Sequence, residues 1–369
     1  MKIRKIILPV CLTLTGLTLT SFTPESTAED VKFSGYLLAD ADYFDEFYSK
    51  ADADDAATDS SWHSEIRALK VSARWKHENL RFKGQYKWQS GGGEWGDLLI
   101  SYRTDAVNVF AGRSEPATSQ EANMSYKQLP VIERSLPVRA FAAGQSDIAG
   151  IDWRRSEQQL QLALFRNDDD HIGVQLRFSQ QALSDSLLWA VAAEQRDLQG
   201  DNYQIKTRAA AHLSDKVIRS PRFYADQQNL LQADIALIND LGWFSAEYWL
   251  TSTTAVSGDE FTLHGSYWQW VYNTRQSYRI ADFETGSRRK QLTGSWDYVV
   301  RVEWLDLQDQ GYGARASNWL AGVNYHPYKN LSLMANLIHN QAAGQLVSSA
   351  ADAEQASGNA LSLRLRYLF

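Results

Sequence analysis

The sequence predicts an all-β protein: a transmembrane antiparallel β-barrel of about 16 strands. Three observations predict it. First, residues 359–369 alternate apolar and polar side chains and end on an aromatic. Leu361, Leu363, Leu365, Tyr367 and Phe369 fall on one face of such a strand, and Ser362, Arg364 and Arg366 on the other. Two arginines are costly inside a dry sheet, whereas a barrel with a water-filled lumen would keep them hydrated. Second, Lys2, Arg4 and Lys5 precede an apolar stretch over 6–19, and Ser26-Thr27-Ala28 offers small residues before Glu29. That is the pattern of an export signal, so residues 1–28 are expected to be cleaved and 29–369 to form an outer-membrane barrel. Third, no apolar run reaches the eighteen residues of a helical span, and mean hydropathy is −0.41. Yet 12% of residues are aromatic, with 13 Trp and 17 Tyr against 7 Pro, as two aromatic girdles require.

Composition narrows the function. The single cysteine, Cys11, lies in the signal, and Leu8-Pro9-Val10 before it lacks the small residue of a lipoprotein site. Neither a disulfide framework nor a lipid anchor is expected. Removing Lys2, Arg4, Lys5 and Glu25 from 37 basic and 44 acidic residues leaves 34 against 43, a formal charge of −9, which excludes nucleic acid as a partner. Asp52, Asp54, Asp55 and Asp59 lack the glycine and terminal Glu of a calcium loop and read as a solvated external loop. Asp168-Asp169-Asp170-His171 reads as a loop tip rather than a metal site. No phosphate loop, paired-histidine helix or Gly-x-Ser-x-Gly elbow is present, and the seven histidines show no spacing that implies a catalytic base. Neither enzyme chemistry nor a cofactor is expected.

Period-two segments of about ten residues supply the strands. The clearest is 80–89, where Arg81, Lys83, Gln85, Lys87 and Gln89 alternate with apolar residues and glycine. Others begin near Val31, Glu65, Trp95, Ala106, Asp147, Gln159, His171, Ser186, Asn229, Gly242, Glu260, Gly294, Ser317, Leu331 and Asn359, sixteen with the segment at Leu80. Short links at 76–79, 104–105, 155–157, 239–241 and 328–330 alternate with long or acidic ones at 45–61, 114–146, 196–228, 306–316 and 342–358. That is the asymmetry of periplasmic turns and external loops, with 273–293 too long for its place. The stretch 204–213 is assigned to an external loop, because a further strand would make the total odd. The loop at about 114–146, which carries Glu115, Pro116 and Glu133, is long enough to fold inward and constrict the lumen.

At this point a family resemblance emerges. Val109-Phe110-Ala111-Gly112-Arg113-Ser114-Glu115-Pro116, followed by Ile132-Glu133-Arg134-Ser135-Leu136-Pro137, resembles the phosphate-selective porin O and P family. Residues 298–307 and Gly322-Val323-Asn324-Tyr325-His326-Pro327 are similar to two of its later signatures. The resemblance implies a trimeric channel whose lumen arginines and constriction lysines hold phosphate.

Strand phase gives the candidates for that role. Lys70, Arg74, Arg81, Lys83, Lys87, Arg177, Arg301, Arg364 and Arg366 are expected to point inward, with Arg113, Lys127, Arg134 and Arg139 at or in the constriction loop. Arginine offers a planar fork to phosphate and lysine a mobile charge. Glu115, Glu121, Glu133 and Asp147 offset the four loop bases, so phosphate preference comes from the resemblance and not from a compact lysine cluster. A general porin without anion preference, a plugged structural barrel and an outer-membrane enzyme are the alternatives. The expected partners are two further copies of the chain, membrane lipid and lipopolysaccharide, small anions as permeants, and the barrel-assembly machinery through Phe369.

Overall fold

The computed structural model describes residues 31–48, 61–183, 186–240, 242–275, 292–345 and 355–369. The export signal, the acidic stretch at 52–59 and most of the connection after Asn273 lie outside them. Sixteen strands form one closed barrel: β1 (Lys32–Phe44), β2 (Ser61–His77), β3 (Leu80–Gln89), β4 (Gly92–Arg103), β5 (Val107–Ser114), β6 (Ser146–Arg155), β7 (Gln158–Asn167) and β8 (Ile172–Ala182). The circuit continues through β9 (Leu187–Tyr203), β10 (Phe223–Asn239), β11 (Gly242–Ala255), β12 (Glu260–Asn273), β13 (Ser295–Asp306), β14 (Ala314–Tyr328), β15 (Leu331–Gly344) and β16 (Gln355–Leu368). Every strand is antiparallel to its sequence neighbours, and β16 closes the ring on β1 with Tyr36 opposite Leu368 and Phe44 opposite Ala360. Closure leaves no free sheet edge, which the apolar core of a bilayer demands. At the seam Gly35 and Phe369 exchange both backbone hydrogen bonds, at 2.8 and 3.1 Å. A side chain on Gly35 would meet the Phe369 ring at 2.4 Å.

All sixteen expected segments are strands, and their two faces differ as the alternation requires. The outer face exposes Leu162, Leu164, Leu176, Val191, Leu231, Val300, Leu337, Leu363 and Leu365. An apolar surface of this extent belongs against lipid. Tyr272, Trp296, Tyr298, Tyr328 and Tyr367 mark an aromatic girdle at the short-turn end, with Trp296 stacked on Tyr325 at 4.4 Å.

The largest departure from the expected strand ends is at β9 and β10. The predicted loop over 196–228 shrinks to 204–222, because β9 and β10 keep pairing until Tyr203 faces Phe223. Polar residues carry this part of the ladder past the apolar band, where hydropathy no longer signals a strand. The intervening segment contains a short ladder, Lys206–Thr207 against Ile218–Arg219.

Candidate functional site

Segment 115–145 crosses the barrel interior from β5 and docks on the opposite wall. It contains two short helices, α1 (Gln120–Asn123) and α2 (Leu136–Phe141). The Ser119 hydroxyl caps α1 by accepting from Ala122 N at 3.1 Å. Away from water, this irregular backbone must find partners for its polar groups. Wall arginines serve the carbonyls: Arg177 donates to Thr118 O (2.8 Å), Arg366 to Lys127 O (2.9 Å), Arg364 to Ile132 O (2.6 Å), Arg301 to Glu133 O (3.2 Å) and Arg196 to Phe141 O (2.9 Å). Wall acceptors serve the N–H groups: Glu247 takes Glu121 N (2.7 Å), Glu303 takes Leu136 N (3.1 Å) and Asn336 takes Ile132 N (2.8 Å).

Arg177, Arg196, Arg301 and Arg364 are also held by acids. Arg364 forks onto Asp40 at 2.7 and 2.6 Å, Arg177 onto Asp234 at 2.7 and 3.1 Å, and Arg301 meets Glu121 and Glu303. This corrects the expectation that the inward arginines are hydrated. The side chains of Arg301 and Arg364 are fully buried, because loop carbonyls and the carboxylates of Glu121, Glu303 and Asp40 take the place of water.

The remaining loop candidates form a knot above this floor. Arg134 pairs with Glu115 at 3.0 Å and donates to Ala122 O and Met124 O. Its guanidinium and that of Arg67 lie over the Tyr126 ring, at 5.0 and 4.5 Å. Arg67 also meets Glu133 at 2.6 Å. Burial opposes ionisation of Glu133, but Arg67, Arg139, His212 and Arg364 outweigh it and hold the carboxyl at about 2. Arg139, on α2, and Lys127 are half-buried, and Pro116 is buried. Arg113 is a second correction. Asn108, Phe110, Gly112 and Ser114 are the inward positions of β5, so Arg113 points outward and joins Asp147 (3.6 Å) and Asp168 (2.6 Å) at the rim.

Segment 204–222 also turns inward, which the sequence did not suggest. Leu213 N donates to Asp42 at 2.8 Å, His212 Nε2 meets Glu65 at 2.7 Å, and Ala209, Ala211, Val217 and Ile218 are buried. Burial pushes the His212 imidazole below its ordinary value, against the pull of Glu133.

The wall left uncovered runs from β2 to β7, and it is basic. Across the β2–β3 ladder Lys70 faces Lys87, Arg74 faces Lys83 and Lys76 faces Arg81. Like charges directly opposite one another destabilise a sheet. Three such pairs spread over about 20 Å of strand make a continuous positive stripe. Lys87 has Glu94 at 2.5 Å and Lys83 is paired with Asp97, while Arg81 Nε is buried without a hydrogen-bond partner. Arg103 continues the stripe onto β4, where it lies opposite the inward Asn108 of β5. A cavity of about 730 Å³ lies against this wall, lined by Arg74, Lys76, Arg81, Lys83, Ser101, Asn108, Asp152 and Gln161, with Glu115 and Ala117 from the loop.

Of the predicted bases, Lys70, Arg74, Arg81, Lys83 and Lys87 are therefore gathered on the open wall. Arg177, Arg301, Arg364 and Arg366 are spent on holding the loop. Sequence reasoning missed Lys76 and Arg103, which strand phase does indicate. It also missed Arg67, which no period could find: a register slip between Leu38 and Ala39 inserts it as an extra residue.

A family model described as phosphate-selective porin O and P matches residues 44–369. No curated protein matches the chain. Among solved structures the chain is similar to the trimer form of OmpT, an outer membrane protein of Vibrio cholerae, at 10% identity and a TM-score of 0.61, covering 92% of this chain and 99% of that one. It is similar to an anion-selective porin from Comamonas acidovorans at 11% identity and 0.60, covering 92% and 99%. It also resembles the outer membrane channel DcaP of Acinetobacter baumannii at 12% identity and 0.58, covering 92% and 97%. At these identities the likeness is one of fold.

Proposed function

The chain belongs to the phosphate-selective porin O and P family and is a β-barrel porin of the bacterial outer membrane, and on that premise we propose that it is a passive channel preferring small anions, phosphate among them. One observation carries the anion preference: the run of base-on-base pairs along β2 and β3 faces the part of the lumen that segment 115–145 leaves open. In a narrow pore with low-dielectric walls such a stripe lowers the barrier to anions and raises it to cations. Side chains spaced along it can pass an ion from one to the next, each holding it weakly enough to release it. Segment 115–145 acts as the constriction loop, setting the width of the passage by its docking on the far wall. The trimeric Vibrio protein supports a homotrimer, with lipid and lipopolysaccharide around it and the assembly machinery reading the strand that ends in Phe369.

A plugged barrel is the second reading, and the inward fold of segment 204–222 favours it. The refolded full chain in a planar bilayer separates them. Stepwise conductance, with phosphate reducing the chloride current, is the expected result. Absence of steps would establish the plug, and a current indifferent to phosphate would leave a general porin.

A further inference from the structure

The cavity on the open wall is not lined by charge alone. Beside Arg74, Arg81 and Lys83 it presents Leu99, Phe110 and Ile148. Strand register places all three on the inward face, Leu99 and Ile148 in one row through Gly112 and Phe110 in the next. The Phe110 ring is laid against the wall over Gly150, where a Cβ would come within 2.6 Å of its Cζ atom. Inorganic phosphate gains nothing from such a surface, since an apolar wall cannot replace the water an ion gives up. An apolar body beside an anionic head would use both halves of the site. The volume, about 730 Å³, is that of a small-molecule pocket rather than of an ion filter.

We infer that this cavity takes organic anions with an apolar body, of the aromatic carboxylate class: the carboxylate on the Arg74, Arg81 and Lys83 side and the ring on Leu99, Phe110 and Ile148. Arg81, which lines the cavity opposite Lys76 on the neighbouring strand, offers such a carboxylate its guanidinium fork. The inference rests on the anion-channel reading and adds to it the shape of the permeant.

The test is current block in the full chain reconstituted in a planar bilayer, with benzoate, acetate and inorganic phosphate added in turn to KCl. Benzoate is expected to reach half-block at a concentration about tenfold below acetate, the contribution of one ring face leaving water. Phe110→Ser is expected to raise the benzoate value about tenfold and close that gap; should the variant fail to assemble, the wild-type series still decides. Equal half-block by benzoate and acetate, or stronger block by phosphate than by benzoate, in a channel whose reversal potential is anionic, overturns the inference and leaves the anion channel standing. A cationic reversal potential overturns both.

Discussion

Replacing Arg301 with methionine probes how the inner segment is held. Arg301 is fully buried and donates to Gln269 Oε1 at 2.8 Å and to Glu133 O at 3.2 Å, while pairing with Glu121 and Glu303. Methionine keeps much of the volume but leaves two carboxylates without their cation. Breaking a buried pair in this way costs about 3–5 kcal/mol. Glu121 keeps Ser135 N at 2.8 Å, and Glu303 keeps Leu136 N at 3.1 Å and Asn318 at 3.0 Å, which places the loss near the lower end. About 3 kcal/mol lowers the docked-to-undocked ratio by a factor on the order of 10². Arg177, Arg364 and Arg366 still grip Thr118, Ile132 and Lys127, so the segment should loosen around 133–141 rather than leave the wall. Single-channel recording should show larger, noisier steps than wild type, and limited proteolysis should cut the variant within 115–145 while the barrel persists as a folded band. Unchanged step size together with an uncut segment would refute the claim that buried wall arginines hold this loop.

Three further outcomes follow from the geometry. Glu133 titrates at about 2 when docked and near 4.3 when released, so its contribution is complete above about pH 4.3 and is lost as pH falls through 2; channel noise should match at pH 7 and 5 and rise below about 4. Deleting Phe369 removes both hydrogen bonds to Gly35 at the closing seam and should reduce the yield of folded barrel more than the conductance of what does fold, as read by heat-modifiable mobility on gels. Gly112 has φ +137°, and a Cβ there would lie 2.0 Å from Leu98 O, so Gly112→Ala should destabilise the β4–β5 edge of the loop by upward of about 1–3 kcal/mol and lower the urea midpoint of unfolding.

The barrel was legible because lipid outside and polar groups inside impose the same period on every strand, and sixteen such segments can be counted without knowing any partner. The open half of the site was legible for the same reason: once 80–89 is read as a strand, Arg81, Lys83 and Lys87 must share a face. What stayed hidden was whatever depends on distant partners. Nothing near Arg301 in the chain announces Glu121, 180 positions away, so an arginine that holds a loop and one that lines a pore look alike in sequence. Arg67 was hidden by a one-residue bulge, Arg113 by its place one step out of phase with Gly112 and Ser114, and segment 204–222 by a polar composition that suits an external loop as well as an inward one.

The stripe along β2 and β3 is the proposed origin of the channel's selectivity. Its most direct test is the reversal potential across a KCl gradient, measured for the wild-type chain beside a variant carrying Arg74→Glu and Lys83→Glu, one base-on-base pair inverted. The wild type should reverse on the chloride side of zero and the variant on the potassium side. Equal potentials in the two channels would contradict the stripe's control of selectivity.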